Sequence, residues 1–192
     1  MGARTDTRQK MLYSAVELLR ERGSAGVTID AVLARSEAPR GSVYHHFRGG
    51  RAEIMTESLA LAGDAISAII DKAVEQGSVA ALRRFGQFWN TLLEQSDFEA
   101  GCPVVSVAVG SSPDDRHLQP AVAGIIQRWQ AALVAALEAD GVESGRAIRL
   151  ATMAIAAIEG AVILCRVNRS TTALDDVIAE LEMMVTAVVA AD

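Results

Sequence analysis

The chain has 192 residues, of which 51% are hydrophobic, and its formal net charge is −6 at pH 7. This length suits one ordinary domain or a small domain fused to a larger one, with a core that needs no disulfides. Cys102 and Cys165 lie far apart, and the first residues contain no apolar run. We therefore expect two buried, reduced thiols, no export signal and a cytoplasmic protein.

The charges are divided unevenly along the chain. Residues 1–51 contain nine Arg and Lys against five Asp and Glu, a net charge of +4. Residues 52–192 contain nine basic and nineteen acidic side chains, a net charge of −10. Only the first quarter of the chain has the sign that attracts phosphate groups. A nucleic-acid site is therefore expected only within residues 1–51.

Apolar spacing and helix-boundary residues predict three helices in the first fifty residues. The first runs from Arg4 to Arg22 and ends at Gly23. The second is the short helix Thr28–Arg35, whose amino end the Thr28 hydroxyl can cap. The third is Pro39–His46, because proline suits the first turn of a helix. Two short, nearly adjacent helices therefore follow a longer one.

The rest of the chain is also predicted to be helical, which makes an all-α protein of about nine helices. Alanine and leucine are abundant, and segments rich in Gly, Ser and Pro separate the periodic stretches. We expect a connecting helix over 51–76, followed by helices near 82–93, 103–109, 116–139, 143–166 and 172–190.

The helix before the last one is apolar on almost every side. Its apolar stretch Leu150–Cys165 contains Glu159 and is shorter than the ~20 residues that cross a bilayer, so we expect no membrane span. A helix buried all round in so short a chain usually requires a partner subunit. We therefore predict a homodimer through the last two helices, about 143–166 and 172–190, as an intersubunit four-helix bundle.

The segment from Thr28 to Phe47, TIDAVLARSEAPRGSVYHHF, contains the strongest motif in the chain. It resembles the DNA-binding head of the TetR (tetracycline-repressor-like) family, in which a Gly-Ser-aliphatic-Tyr-His-His-Phe helix follows a short turn. The sequences APRGS at 38–42, GGRAE at 49–53 and GCP at 101–103 are similar to the LmrA/YxaF-like branch. The resemblance implies a helix-turn-helix DNA-binding domain over 1–50, with its motif at 28–47, and a ligand-binding and dimerisation domain over 51–192. Glu37 departs from the pattern, since the family usually has Gly at this turn.

A two-turn helix fits the major groove of DNA, and its outward side chains meet the base edges and phosphates. With the resemblance, this predicts seven DNA-binding residues: Thr28, Arg40, Gly41, Ser42, Tyr44, His45 and Arg51. Arg40 is expected on guanine or phosphate, Tyr44 and His45 on phosphate, and Arg51 on the flanking backbone. The alternative for Tyr44 and the two histidines is packing beneath the recognition helix, which we favour for His46.

The body of the family holds a small-molecule inducer, and the resemblance implies a cavity for one here. The candidate lining residues are Phe85, Phe88, Trp89, Cys102, Trp129, Met153 and Glu159. We expect a largely apolar ligand, whereas the alternative at each position is ordinary core packing. Glu159 is either a structural acid at the interface or a polar anchor in the cavity.

No sequence motif for catalysis, a cofactor or a metal is present, and His45 and His46 point roughly 100° apart on a helix, so they cannot share one ion. We expect a DNA-binding transcriptional regulator and no enzyme. We expect the regulator to act by repression, which is relieved when a small apolar inducer releases the dimer from a pseudo-palindromic operator. The alternative is a helical small-molecule-binding protein whose head no longer reads specific DNA, with Glu37 as its one supporting residue.

Overall fold

The computed structural model describes residues 2–110 and 113–190, which form nine α-helices, one 3-10 segment and no strand. The helices are α1 (Gly2–Gly26), α2 (Ile29–Ser36), α3 (Ser42–His46), α4 (Gly50–Val74), α5 (Ser78–Gln95), α6 (Pro103–Ala108), α7 (Gln119–Ala139), α8 (Ser144–Asn168) and α9 (Thr172–Val189), with the 3-10 segment at Pro113–Leu118. The predicted all-α class is confirmed. Cys102 and Cys165 are both buried free thiols, as expected.

The chain forms two compact units. The first contains Met1–Asp64 and Cys102–Gly124, and the second contains Ala65–Gly101 and Ile125–Asp192. The predicted functional boundary between residues 50 and 51 falls within the first unit, because that unit also holds the beginning of α4 and the segment around α6. The division into a DNA-binding and a ligand-binding domain therefore remains a prediction about function.

The first unit is built around α1, which packs against α2 and α6. Met11, Leu18 and Leu19 of α1 are fully or almost fully buried, and so is Ile54 of α4. The chain bends at Gly23, where φ is 70°. Glycine adopts this left-handed region without the steric cost that a Cβ would add.

The amino end of α2 is capped as the sequence predicts. The Thr28 hydroxyl oxygen accepts a hydrogen bond from the Ala31 N–H at 3.1 Å, and Thr28 itself has an extended backbone. This satisfies one of the backbone donors that the first turn of a helix leaves unpaired.

The recognition helix α3 is shorter than predicted, because it begins at Ser42 and not at Pro39. Glu37 ends α2 in the left-handed conformation, with φ 55° and ψ 28°. Ser42 then donates its N–H to the Pro39 carbonyl oxygen at 2.8 Å, so residues 39–42 form a turn. Proline therefore precedes the helix here and does not occupy its first turn. Glu37 adopts the positive φ that glycine accommodates better, at a cost of about 1 kcal/mol.

The second unit is organised by α5, α8 and α9, which contact one another. Trp89, Leu93 and Leu174 are fully buried in its core. By length and composition alone, helix α8 is long and apolar enough to cross a membrane. Within this single chain, 39% of its most apolar window is buried. Several large apolar side chains of α8 and α9 are exposed: Ile148, Ile163, Leu164, Val167 and Met183.

Candidate nucleic-acid interface and ligand cavity

Helix α3 has one buried and one exposed side. Val43 is fully buried, and Phe47, which follows the helix, is also fully buried. Tyr44 is 65% exposed, and Arg40 and His45 are exposed as well. Arg40, Tyr44 and His45 therefore face outward, as the sequence predicts for DNA contacts, while their apolar neighbours anchor the helix.

Three parts of the predicted interface converge next to Gly50. A Cβ built on Gly50 would lie 3.4 Å from Tyr44 Cε1 and 3.9 Å from Ile29 Cδ1. Gly50 has φ 59°, a backbone conformation that glycine adopts without steric cost. Because glycine has no side chain, Tyr44 and Ile29 can also approach its backbone closely. Tyr44 thus lies beside the amino end of α2, where Thr28 is exposed, and beside the first turn of α4.

Arg8 of α1 fixes the base of this interface. Its Nη2 lies 2.6 Å from both carboxylate oxygens of Glu57 on α4, and its guanidinium carbon lies 4.7 Å from the centre of the Phe47 ring. An arginine over an aromatic face gains cation–π attraction in addition to its ion pair. The end of the recognition helix is therefore joined to both α1 and α4.

Arg51 is placed differently from its predicted role on the DNA backbone. Its Nε donates to the Val27 carbonyl at 2.7 Å, and its Nη2 donates to the Ser24 carbonyl at 2.8 Å. Its two terminal nitrogens also reach the carboxylate of Asp115, at 2.6 and 3.2 Å. Protein acceptors therefore occupy most of this guanidinium, and we leave Arg51 out of the proposed DNA contacts.

Sequence reasoning did not single out two charged residues that belong with the candidate interface, one buried beneath it and one exposed beside α3. Asp115 lies sixty-four positions beyond Arg51 and is 2% exposed, and no local pattern links the two. Arg48 follows the recognition helix, is exposed and forms no ion pair within residues 7–110 and 113–190. The local excess of positive charge around 40–51 is the signal by which Arg48 could have been found.

The second unit contains a small apolar cavity of about 30 Å³. Helices α4, α5, α7 and α8 supply its lining: Ile70, Ala73, Ala81, Leu82, Phe85, Trp129, Leu133, Ile155, Ile158 and Glu159. Glu159 is the one charged side chain in this lining. An apolar space of this size holds one or two water-sized groups, whereas pockets for drug-sized ligands measure about 300 Å³ or more.

The predicted ligand residues divide into two groups. Phe85, Trp129 and Glu159 line the cavity, whereas Phe88, Trp89, Met153 and Cys102 do not. Trp89 is fully buried and packs edge-on against Phe85, at 6.2 Å between ring centres. It therefore contacts a lining residue of the cavity without lining the cavity itself. Cys102 belongs to the first compact unit. The alternative of core packing therefore describes Trp89 better.

An exposed recognition helix, anchored by buried apolar residues and preceded by a capped helix and a tight turn, defines a helix-turn-helix DNA-binding protein. Two family models match the chain. Residues 12–57 match the tetR family of bacterial regulatory proteins, and residues 78–180 match the LmrA/YxaF-like C-terminal domain of transcriptional regulators. The chain belongs to the TetR family of DNA-binding transcriptional regulators, in its LmrA/YxaF-like branch.

Individual relatives agree with this assignment. An HTH-type transcriptional regulator of Mycobacterium tuberculosis is 38% identical over 173 residues, which covers 88% of each chain. The crystal structure of a TetR regulatory protein from Rhodobacter sphaeroides has a TM-score of 0.80 at 22% identity, over 91% of this chain and 96% of that one. CifR, a TetR-family regulator solved with 26-bp double-stranded operator DNA, has a TM-score of 0.76 at 16% identity, over 90% and 94%. The two structures show the fold.

Proposed function

We propose that this regulator is a homodimeric repressor that places the α3 helix of each protomer in successive major grooves, about 34 Å apart. The outward exposure of Tyr44 and His45 on α3 and of Arg40 in the turn before it, with the helix held by Val43 and Phe47, carries this proposal. Arg40 reads guanine or holds phosphate, and Tyr44 and His45 hold phosphate, as does Thr28 at the amino end of α2. Gly41 and Ser42 allow the backbone to approach the DNA closely.

The repressing action and the cytoplasmic location follow the family resemblance, and the dimer has support from α8 and α9. Ile163 and Leu164 are 55% and 52% exposed in one protomer. A Cβ added to Gly160 would meet nothing within 4 Å, so this face leaves room for a partner helix. Two copies of α8 and α9 would cover these side chains in a four-helix bundle. The apolar composition of α8 then serves dimerisation, and no membrane is needed to explain it.

A gel-shift titration with DNA from upstream of the gene and its neighbours tests the proposed contacts. We expect Arg40→Ala and Tyr44→Ala each to weaken specific binding about ten- to a hundredfold, which corresponds to roughly 1–3 kcal/mol. Arg84→Ala and Tyr13→Ala are matched controls, since both residues are exposed but lie outside the proposed contacts. If a folded dimer forms no specific complex with this DNA at moderate salt, that result would support the small-molecule-binding alternative.

We also propose that the cavity is the inducer site in a contracted state. A ligand must enlarge the space of about 30 Å³ and so displace parts of its wall, which include Ile70 and Ala73 of α4. The same helix begins at Gly50, which belongs to the first unit. Ligand binding is therefore coupled to operator release through α4, by favouring a state that binds DNA less well.

The lining also suggests which small molecules to try. An apolar wall with one carboxylate favours a flat apolar ligand that presents an N–H donor to Glu159. Indole and benzofuran have nearly the same shape, but only indole has that donor. Calorimetric titration should show tighter binding of indole, and Glu159→Gln should reduce the difference. Equal binding of both compounds to the wild type would remove Glu159 from the proposed site, and Leu133→Trp, which fills the cavity, should abolish binding of either.

A further inference from the structure

The carboxylate of Asp115 is held inside the first unit, far along the chain from the helix-turn-helix motif. It accepts hydrogen bonds from both terminal nitrogens of Arg51, at 2.6 and 3.2 Å. This two-pronged pairing of guanidinium and carboxylate is stronger and more directional than a single hydrogen bond between neutral groups. Asp115 is 2% exposed and the Arg51 side chain 29%, so solvent screens this pair less than a pair on the surface.

The remaining hydrogen bonds of Arg51 end on residues 24–27, a loop-like junction that includes the last residues of α1 and leads into α2. Its Nε and Nη2 donate to the carbonyl oxygens of Val27 and Ser24. Val27 is fully buried and immediately precedes Thr28, the residue that caps α2. The same segment that contains Asp115 also contacts this loop at Gly110, where an added Cβ would lie 2.6 Å from the Ser24 Oγ. The position of Thr28 thus depends on a loop held from two sides.

We propose that Asp115 and Arg51 are positioning residues for DNA binding: Asp115 orients the Arg51 guanidinium, which holds the 24–27 loop and thereby sets Thr28 at the phosphate. Arg51 acts from inside the protein, whereas the sequence motif suggests a direct contact with DNA. Residues 102–110 and 113–124 are then part of the DNA-binding apparatus, although they lie outside the helix-turn-helix segment. The proposal depends on the assignment of Thr28 to phosphate.

The sign of the effect distinguishes positioning from simple electrostatics. Asp115→Asn removes a negative charge, which by itself strengthens attraction to DNA. The positioning role predicts the opposite, because asparagine cannot accept both guanidinium prongs. We expect operator affinity to fall about five- to tenfold at constant salt, in line with the loss of a charge-assisted hydrogen bond. Asp114→Asn is the matched control, since it removes the same charge from an exposed neighbour and should change affinity less than twofold.

A double-mutant cycle with Thr28→Ala tests whether Asp115 acts through Thr28. Positioning predicts that Asp115→Asn costs little further affinity once Thr28 is alanine. A general loss of structure predicts an equal loss in both backgrounds, and that result would overturn the proposal. If Thr28→Ala alone leaves affinity unchanged, the assignment of Thr28 to phosphate fails, whereas Arg40→Ala tests the DNA-binding function independently.

Arg51→Lys provides a second variant in case Asp115→Asn does not fold. Lysine keeps the positive charge, but its three N–H donors share one nitrogen and cannot reproduce the planar fork that Arg51 presents to Val27, Ser24 and Asp115. Positioning predicts a similar fall in affinity that again depends on Thr28, with the same slope of log affinity against log salt as the wild type. A direct phosphate contact predicts that Arg51→Lys keeps the affinity and that Arg51→Gln lowers the slope by about one. These two results together would show that Arg51 contacts DNA directly, and they would overturn the proposal.

Discussion

The contacts inside the first compact unit differ in kind from those inside the second. In the first unit the arginines of three ion pairs are only 29–38% exposed: Arg8–Glu57 at 2.6 Å, Arg35–Glu21 at 2.8 Å and Arg51–Asp115 at 2.6 Å. In the second unit the ion pairs Arg83–Glu182 and Arg169–Asp97 include arginines that are 61% and 51% exposed. Exposed pairs of this kind contribute little to stability, so apolar packing dominates there.

This difference suits the functions that we propose for the two units. Directional hydrogen bonds hold side chains at defined positions, and a recognition surface for DNA needs such precision. Apolar contacts have no fixed direction, so a cavity lined by Leu82, Leu133 and Ile158 adapts to a ligand at small cost. The exposed apolar face of α8 is likewise suited to burial against a second copy. Each unit therefore fails in its own way when mutated.

The largest effect is expected where the second unit meets its partner copy. Leu164→Glu places a charge on the proposed dimer face and should raise the dimer dissociation constant by more than a hundredfold, because a buried unpaired charge costs several kcal/mol. Sedimentation velocity measures the monomer fraction, and operator affinity should fall with it. Val109→Glu is the control: Val109 is 75% exposed but lies outside α8 and α9. A Leu164→Glu protein that stays dimeric would contradict the proposed interface.

A smaller effect is expected at the buried polar contact of the second unit. The Ser67 Oγ accepts hydrogen bonds from Trp129 Nε1 at 2.9 Å and from Arg128 Nε at 2.8 Å. Ser67→Ala leaves the almost completely buried indole N–H of Trp129 without this acceptor, which should lower the free energy of unfolding by about 1–3 kcal/mol. Urea denaturation provides the measurement.

Ser58 offers an unusually close control for this prediction. It is fully buried, and its Oγ has no hydrogen-bond partner among the residues that the structure describes. Ser58→Ala removes an unsatisfied polar group without breaking a bond, so we expect unchanged or slightly higher stability. Equal destabilisation by Ser67→Ala and Ser58→Ala would show that the hydrogen bonds to Ser67 contribute nothing measurable.

Local patterns predicted the helices well because each helix has its own period and its own boundary residues. Thr28 caps α2 as expected, and Val43 and Phe47 face inward from α3. The beginning of α3 was wrong by three residues, because proline is equally at home in a first helical turn and in the turn before it. The hydrogen bond from Ser42 to the Pro39 carbonyl decides between the two, and the sequence pattern does not contain it.

Contacts between distant residues set the limit of prediction from the sequence. Arg51 fits a surface motif, yet its partner Asp115 comes from a segment with no periodic relation to it. The cavity shows the same limit, since Trp89 and Trp129 have similar helical surroundings in the sequence but only Trp129 lines the space. An aromatic side chain in an apolar stretch predicts burial, whereas the choice between wall and core depends on how whole helices pack.

Acid should weaken the first unit through Asp115. The hydrogen bond from Arg51 holds the pKa of Asp115 below its ordinary value of 3.8, against the opposing effect of burial. A carboxyl group with a lowered pKa in the folded state adds stability above its unfolded pKa, and this contribution disappears as the pH falls through the folded pKa. The gap in unfolding free energy between wild type and Asp115→Asn should therefore be constant from pH 7 down to about 5 and narrow below about 4.

Urea denaturation of both proteins at each pH measures that gap, and Asp114→Asn should show no comparable narrowing. A gap that closes between pH 7 and 5 would mean that a group other than Asp115 is titrating, because neither the ordinary nor the lowered pKa of this carboxyl lies in that range.

The smallest effect is expected at Glu37, a residue of the first unit with a strained backbone conformation. Glu37 is exposed and has φ 55°, so Glu37→Gly relieves a steric cost and should raise stability by about 0.5–1 kcal/mol. The substitution also removes a negative charge near the proposed DNA surface, so operator affinity should rise a few-fold at low salt and less at high salt.

Glu37→Gln separates the two effects, since glutamine removes the charge but keeps the strained conformation. Thermal denaturation should rank Glu37→Gly above Glu37→Gln, whereas gel shifts should show similar gains in affinity for both. If glutamine stabilises as much as glycine, repulsion between charges and not backbone strain limits this turn.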